Sequence, residues 1–139
     1  MNKKLNIDDF QEGMLIPELE KKPTTQQLVM WAGASGDFNP IHYDQDFAKK
    51  MGLPNVIVHG QLILAFLGQM ITDWLGETGE LKRLSVNYKG MNLPGDTILC
   101  QGVVKGKNPN SQLVTLDVWS ENPQGEKTVT GTAVVHLTN

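Results

Sequence analysis

The sequence predicts an α+β domain in which one long apolar helix is wrapped by a curled antiparallel sheet. Two observations carry that prediction. From Gln61 to about Leu75 the pattern is helical and apolar nearly all round, with Leu62, Ile63, Leu64, Ala65, Phe66, Leu67, Met70, Ile71 and Trp74. After Gly79 the periodicity changes to alternation, in four successive segments divided by turn residues. A helix apolar on every face needs other structure around it. Successive strands make a sheet with one apolar face, and wrapping that sheet round the helix buries both.

Taken in order, residues 1–15 read as an irregular or partly ordered lead-in. Ile16 to Lys22 reads as a short strand that Pro23 ends. Thr24 stands at an N-cap, and Gln26 to Ser35 has apolar residues at Leu28, Val29, Trp31 and Ala32, as a helix with one buried face requires. Gly36 stops that helix. Asp37-Phe38-Asn39-Pro40 is a turn, because Pro40 biases Asn39 away from helical angles. Asp44 caps a short helix, Gln45 to Met51, which Gly52 closes. A loop at Leu53-Pro54-Asn55 and an extended Val56-Ile57-Val58 lead to His59-Gly60 and the long helix. Leu84 to Lys89, Asp96 to Lys107, Gln112 to Glu121 and Lys127 to Leu137 then read as strands of an antiparallel meander.

Composition narrows the functional classes. At 139 residues and 40% hydrophobic content, the chain fits a single domain over 1–139 with one sizeable core. Its net charge of -3 and its single arginine, Arg83, argue against a nucleic-acid binder. The lone Cys100 allows no internal disulfide, which suits a reducing cytoplasm. The first nine residues carry basic groups with no apolar run behind them, so no signal peptide is expected. The apolar stretch from Val56 to Leu75 is interrupted by His59, Gln61, Gln69 and Asp73, so no membrane span is expected.

The chemistry-bearing residues cluster in two stretches. Asp37 and His42 lie five residues apart across the Asn39-Pro40 turn. Each is open to a plain reading, Asp37 as a turn residue and His42 as a surface or core histidine. The stiffened turn also lets both side chains aim at one point, as a pair of fixed acid–base groups requires. Seventeen residues past His42, His59-Gly60 opens the long helix. The first N–H groups of a helix lack internal partners and favour negative charge, so the Gly60 N–H is a candidate oxyanion donor. Gly60 otherwise simply starts the helix, and His59 fills a core position. Asn39 fixes the turn or touches substrate, and Asp44 is an N-cap. Cys100 has no neighbouring base, and His136 sits on the last strand. The histidines show no metal-ligand spacing, and neither a metal nor an organic cofactor is expected.

Trp31-Ala-x-x-Ser-Gly-Asp-Phe-Asn-Pro-Ile-His42, then Ala48, then Val58-His59-Gly60, resembles the MaoC-like (R)-specific enoyl-thioester hydratase and 3-hydroxyacyl-thioester dehydratase family along nearly the whole chain. The resemblance implies a hotdog fold, a dimer or higher homo-oligomer, and a thioester of coenzyme A or acyl carrier protein as substrate. It carries the acid–base pair over to Asp37 and His42 and the oxyanion amide to Gly60, with Asn39 and His59 beside it as candidate substrate-binding residues. Two positions depart from the pattern: Gln61 stands where many members have methionine, and Gly68 where some have serine. The fold also serves acyl thioesterases, which often use a carboxylate on the central helix, where this chain has only Asp73 near the far end. A third possibility is the active half of a heterodimeric dehydratase.

Overall fold

The computed structural model describes residues 4–138. Met1 to Lys3 and Asn139, with the start of the expected lead-in, lie outside the described residues. The elements in chain order are β1 (Leu19–Lys21), α1 (Thr25–Ser35), α2 (Gln45–Lys50), α3 (Gly60–Leu75), β2 (Gly79–Tyr88), β3 (Ile98–Asn108), β4 (Leu113–Glu121) and β5 (Lys127–Leu137). Short 3₁₀ turns occupy Ile7–Asp9, Pro40–His42 and Gly76–Thr78.

The caps behave as their residue types dictate. Thr24 and Asp44 accept hydrogen bonds from the N–H groups of Gln27 and Phe47. Gly36 ends α1 in the left-handed region at φ 79°, where a β-carbon would be costly, and its N–H returns to the Ala32 carbonyl at 2.9 Å. Leu28 and Ala32 are buried on α1, whereas Val29, expected on the same face, is exposed.

The sheet has five strands in the order β1-β3-β4-β5-β2, every neighbouring pair antiparallel. This corrects the expected meander at one strand: β2 lies beside β5 at the far edge, not beside β3. Three residues join α3 to β2, so β2 turns straight back from the helix and takes that edge, and residues 89–97 cross to β3. The crossing is pinned by backbone bonds: Lys89 and Gly90 N–H to the Thr128 carbonyl, Val58 N–H to the Asn92 carbonyl, and Gly95 N–H to the Pro23 carbonyl. Register shifts leave an extra residue in β2, β3 and β5, bulges that increase twist and help the sheet curl.

Two boundaries move for physical reasons. β1 is shorter than expected because Pro17 has no N–H to give the ladder, and the preceding segment, though bonded to β3 through Gly13, Met14 and Ile16, forms only an isolated bridge at Leu15. β2 begins at Gly79, ahead of the expected Leu84; Glu80 and Lys82 are weak strand formers, and the bulge after Leu81 breaks the alternation. The lead-in is ordered at its centre. Phe10 is fully buried and meets Trp74 edge to face, ring centroids 5.6 Å apart.

One face of α3, carrying Leu62, Ile63, Phe66, Leu67, Met70, Ile71 and Leu75, is buried in a single core with Ile98, Cys100, Leu116, Val118, Ala133 and Val135 of the sheet. The helix is not wrapped on all sides. Gln61, Ala65, Gln69, Thr72 and Asp73 form an exposed stripe in the described chain, so the sheet covers the helix from one side. Among the described residues no helix is long and apolar enough to cross a membrane.

The tightest point in the sheet is Gly131. A β-carbon there would lie 2.1 Å from the Ser85 carbonyl oxygen and 2.9 Å from the Val86 α-carbon, both backbone atoms of β2. Gly131→Ala must therefore push β2 off β5. Its expected cost, measured by urea unfolding, is about 3 kcal/mol or more, at the upper end for overpacking.

Candidate active site

The turn after α1 and the entry to α3 meet at one end of the helix. Asp37 is held first by backbone-level bonds. Its N–H donates to Ser35 Oγ at 3.2 Å, and its Oδ1 accepts from the Asn39 N–H at 3.3 Å. Asn39 repeats the device one step on, capping the 3₁₀ turn by accepting from the Ile41 N–H at 3.3 Å. These are the local turns that Asp and Asn favour before proline. They leave Asp37 Oδ2 unengaged by the turn, and it lies 3.7 Å from His42 Nε2.

His42 is fixed from the other side. Its Nδ1 lies 2.7 Å from the Ile57 carbonyl oxygen. A carbonyl only accepts, so Nδ1 carries the proton and Nε2 presents a bare lone pair on the side of Asp37. The His42 side chain is 8% exposed and that of Asp37 44%. The imidazole is thus sheltered while the carboxylate reaches solvent.

His59 packs behind this pair. Its ring stacks on His42, with centroids 3.8 Å apart and planes 20° apart. Its Nε2 is 3.4 Å from the Asp37 carbonyl oxygen, to which it donates, while Nδ1 is buried with no hydrogen-bond partner. Burial, then the neighbouring His42, pulls the proton affinity of His59 below its ordinary value, against a smaller opposing pull from Asp37.

A cavity of about 340 Å³ opens beside Asp37 and His42. Ile57 and Val58 of the lead into α3, Gly60, Gln61 and Ile63 of α3, Tyr88 of β2, Gly90 and Met91 of the crossing segment, and Val129 of β5 complete its lining. Sequence reading placed Asp37, His42 and Gly60 in one site, and all three line this cavity. Asn39 and His59 do not; the first holds the turn and the second backs His42. The Ile57 carbonyl, Tyr88 and Met91 were not anticipated. A backbone acceptor leaves no trace in residue type, and the other two reach the site only through the edge position of β2 and the crossing that follows it.

Gly60 is glycine for a reason the sequence did not disclose. A β-carbon there would lie 2.7 Å from Tyr88 Cε1 and 2.9 Å from Cδ1. The ring of Tyr88, itself half-exposed, occupies that space. Gly68, by contrast, has room, since a β-carbon would meet only Leu84 Cδ2 at 3.9 Å.

Asp37, His42 and His59 each bring one ligand-type atom within 4.8 Å of the others. Their geometry suits proton transfer better than a metal. Stacked imidazoles point their ring nitrogens side by side rather than at a common centre. Elsewhere, burial pushes the Cys100 thiol up to about 12, which keeps it protonated and unreactive. His136 lies on β5 opposite Glu80 and outside the cavity lining.

Comparison with known proteins gives the family of the chain. Over 120 residues the chain is 28% identical to the (R)-specific enoyl-CoA hydratase of Aeromonas caviae, covering 86% of this chain and 90% of that one. The solved structure of the (R)-hydratase from A. caviae involved in PHA biosynthesis matches with a TM-score of 0.86 at 27% identity, over 92% of this chain and 97% of that one. A stretch of 73 residues is 39% identical to fatty acid synthase subunit beta of Aspergillus oryzae, where it spans 50% of this chain but only 4% of that protein. Residues 11–122 match the MaoC like domain. The fold is the hotdog fold, and the chain belongs to the MaoC-like family of hydratases and dehydratases.

Proposed function

We propose that this chain catalyses the reversible addition of water to a trans-2-enoyl thioester, giving an (R)-3-hydroxyacyl thioester, with Asp37 and His42 as the acid–base pair. The observation that carries this reading is the bare Nε2 of His42 facing Asp37 Oδ2 at 3.7 Å beside a cavity that Gly60 also lines. That separation is too long for a direct hydrogen bond and suits one water held by both groups.

In the forward direction the water oxygen forms a bond to C3 while His42 Nε2 takes its proton. The π electrons of the C2–C3 bond move toward the thioester, and charge develops on its carbonyl oxygen. The Gly60 N–H, at the N-terminus of α3, stabilises that charge. The imidazolium, held beside the Asp37 carboxylate, then returns the proton to C2 and is ready for another cycle. Dehydration is the same sequence reversed. The relative from A. caviae is named an (R)-specific enoyl-CoA hydratase and lies along nearly its whole length beside this chain, which supports the assignment.

The thioesterase reading has less support. Asp73, the only carboxylate on α3, lines a separate cavity with Leu5, Pro17, Glu18, Leu19, Met70 and Trp74. The thioester carrier is coenzyme A or acyl carrier protein. The open edge of β2 and the exposed stripe of α3 support self-association as a dimer or higher oligomer, or pairing with a related subunit. A heteromeric relative of this fold is known in the ChsH1-ChsH2 complex from Mycobacterium tuberculosis, which matches with a TM-score of 0.82 at 26% identity over 91% of this chain. A cytoplasmic location fits the single free Cys100.

Asp37→Asn and His42→Gln are each expected to lower the rate of crotonyl-CoA hydration by ~10²–10⁴-fold, read as loss of the conjugated thioester absorbance. Near-normal rates in both folded variants would sink the assignment, and release of free thiol by the native protein would favour a hydrolase. Gly60→Ala is expected to cost up to ~10²-fold by displacing the amide and the Tyr88 ring. Adding Tyr88→Ala makes room for the new methyl group and is expected to restore part of that loss. No recovery in the double variant would mean that glycine is required there by the substrate and not by the tyrosine.

A further inference from the structure

We propose that His59 is a positioning residue that acts as a neutral imidazole, setting Asp37, His42 and the Gly60 amide in register with one another. The proposal rests on the hydration reading and adds to it a residue that touches no substrate.

Four contacts argue for it. The His59 ring lies flat on His42 at 3.8 Å and limits the tilt of that imidazole. Its Nε2–H donates to the backbone carbonyl of Asp37, so it holds the main chain whose side chain faces the water. Its own carbonyl accepts from the N–H groups of Leu62 at 3.0 Å and Ile63 at 3.3 Å, so it also begins α3 one residue before Gly60. It is 1% exposed and absent from the cavity lining. One residue therefore touches each working part of the site without facing the substrate.

A residue needed only to fill the core would not look like this. Phenylalanine would fill the space without leaving a buried nitrogen unpartnered, an arrangement that costs free energy. The nitrogen is accounted for by the bond at the other end of the ring. The neutral state follows from the same surroundings. Protonation would add an N–H at Nδ1, where no acceptor lies, and would place a cation flat against His42. During hydration His42 carries a positive charge itself, and a charged neighbour at that distance would oppose each cycle. Among the described residues, the ionisable groups that act on His59 are His42 and Asp37.

The first test needs no substrate. Nitrogen-15 NMR of the native protein is expected to show His59 neutral at neutral pH, with the proton on Nε2, and still neutral as the pH falls through 6.5. Titration at or above that value, or a proton on Nδ1, would overturn the proposal even if hydration were confirmed. The kinetic arm compares two variants with crotonyl-CoA. His59→Phe keeps the stack and loses the donor; kcat is expected to fall by up to ~10²-fold with KM nearly unchanged. His59→Gln keeps an N–H donor and is expected to recover most of kcat. A folded phenylalanine variant with native kcat, a change confined to KM, or a glutamine variant as poor as the phenylalanine one would each refute it.

A stability measurement follows from the same contacts. His59 binds a proton less readily folded than unfolded, so its contribution is present in full above its ordinary value of 6.5 and is lost as the pH falls below it. The glutamine variant lacks that contribution. Its melting temperature is expected to fall less steeply than the native one between neutral pH and about pH 5.

Discussion

An imidazole has two nitrogens, and the Ile57 carbonyl claims one of them. That hydrogen bond, 2.7 Å from His42 Nδ1, is the constraint on which the rest of the site depends. It fixes the tautomer, and so decides that the nitrogen facing Asp37 is a lone pair and not a donor. It fixes the ring plane, against which His59 then stacks. It also joins two distant stretches of chain, because Ile57 belongs to the extended lead into α3. Its own N–H donates to the Ile41 carbonyl at 3.0 Å, so the contact is made from both strands of backbone. The turn that carries Asp37 and His42 and the helix entry are thereby bound directly, and neither has to be placed by the core alone.

The turn itself divides labour within one carboxylate. Oδ1 of Asp37 is engaged by the Asn39 N–H, and Oδ2 is left facing His42 Nε2. Local hydrogen bonding of this kind is what Asp does next to an Asn-Pro sequence, so the turn role of Asp37 leaves room for the acid–base role proposed for it. Asn39 caps the 3₁₀ turn that delivers His42, and its contribution to the site is the shape of that turn.

Local chemistry made much of this legible. The caps at Thr24 and Asp44, the stop at Gly36 and the pairing of Asp37 with His42 depend on residues near one another in sequence, so their types report on their conformations. What was not legible depends on long-range placement. The edge position of β2 is decided by the short link from α3 and by competition for the flank of β5, and periodicity says nothing of either. The one-sided cover of α3 was legible in part: Gln61, Gln69 and Asp73 share the exposed stripe with Ala65, but the apolar residues between them dominate the pattern. The Tyr88 ring against Gly60 follows from the edge placement of β2, so it was hidden with it.

The segment that crosses from β2 to β3 separates two tasks that many enzymes entangle. It is anchored through main-chain groups of Lys89, Gly90, Asn92 and Gly95, while Gly90 and Met91 line the same cavity as Asp37 and His42. Backbone bonds are indifferent to the side chains they carry. The wall of the cavity is therefore free to drift in size and polarity while Asp37 and His42, on a different stretch of chain, stay where they are. On the proposed mechanism, such a site can change the acyl groups it accepts without altering its chemistry.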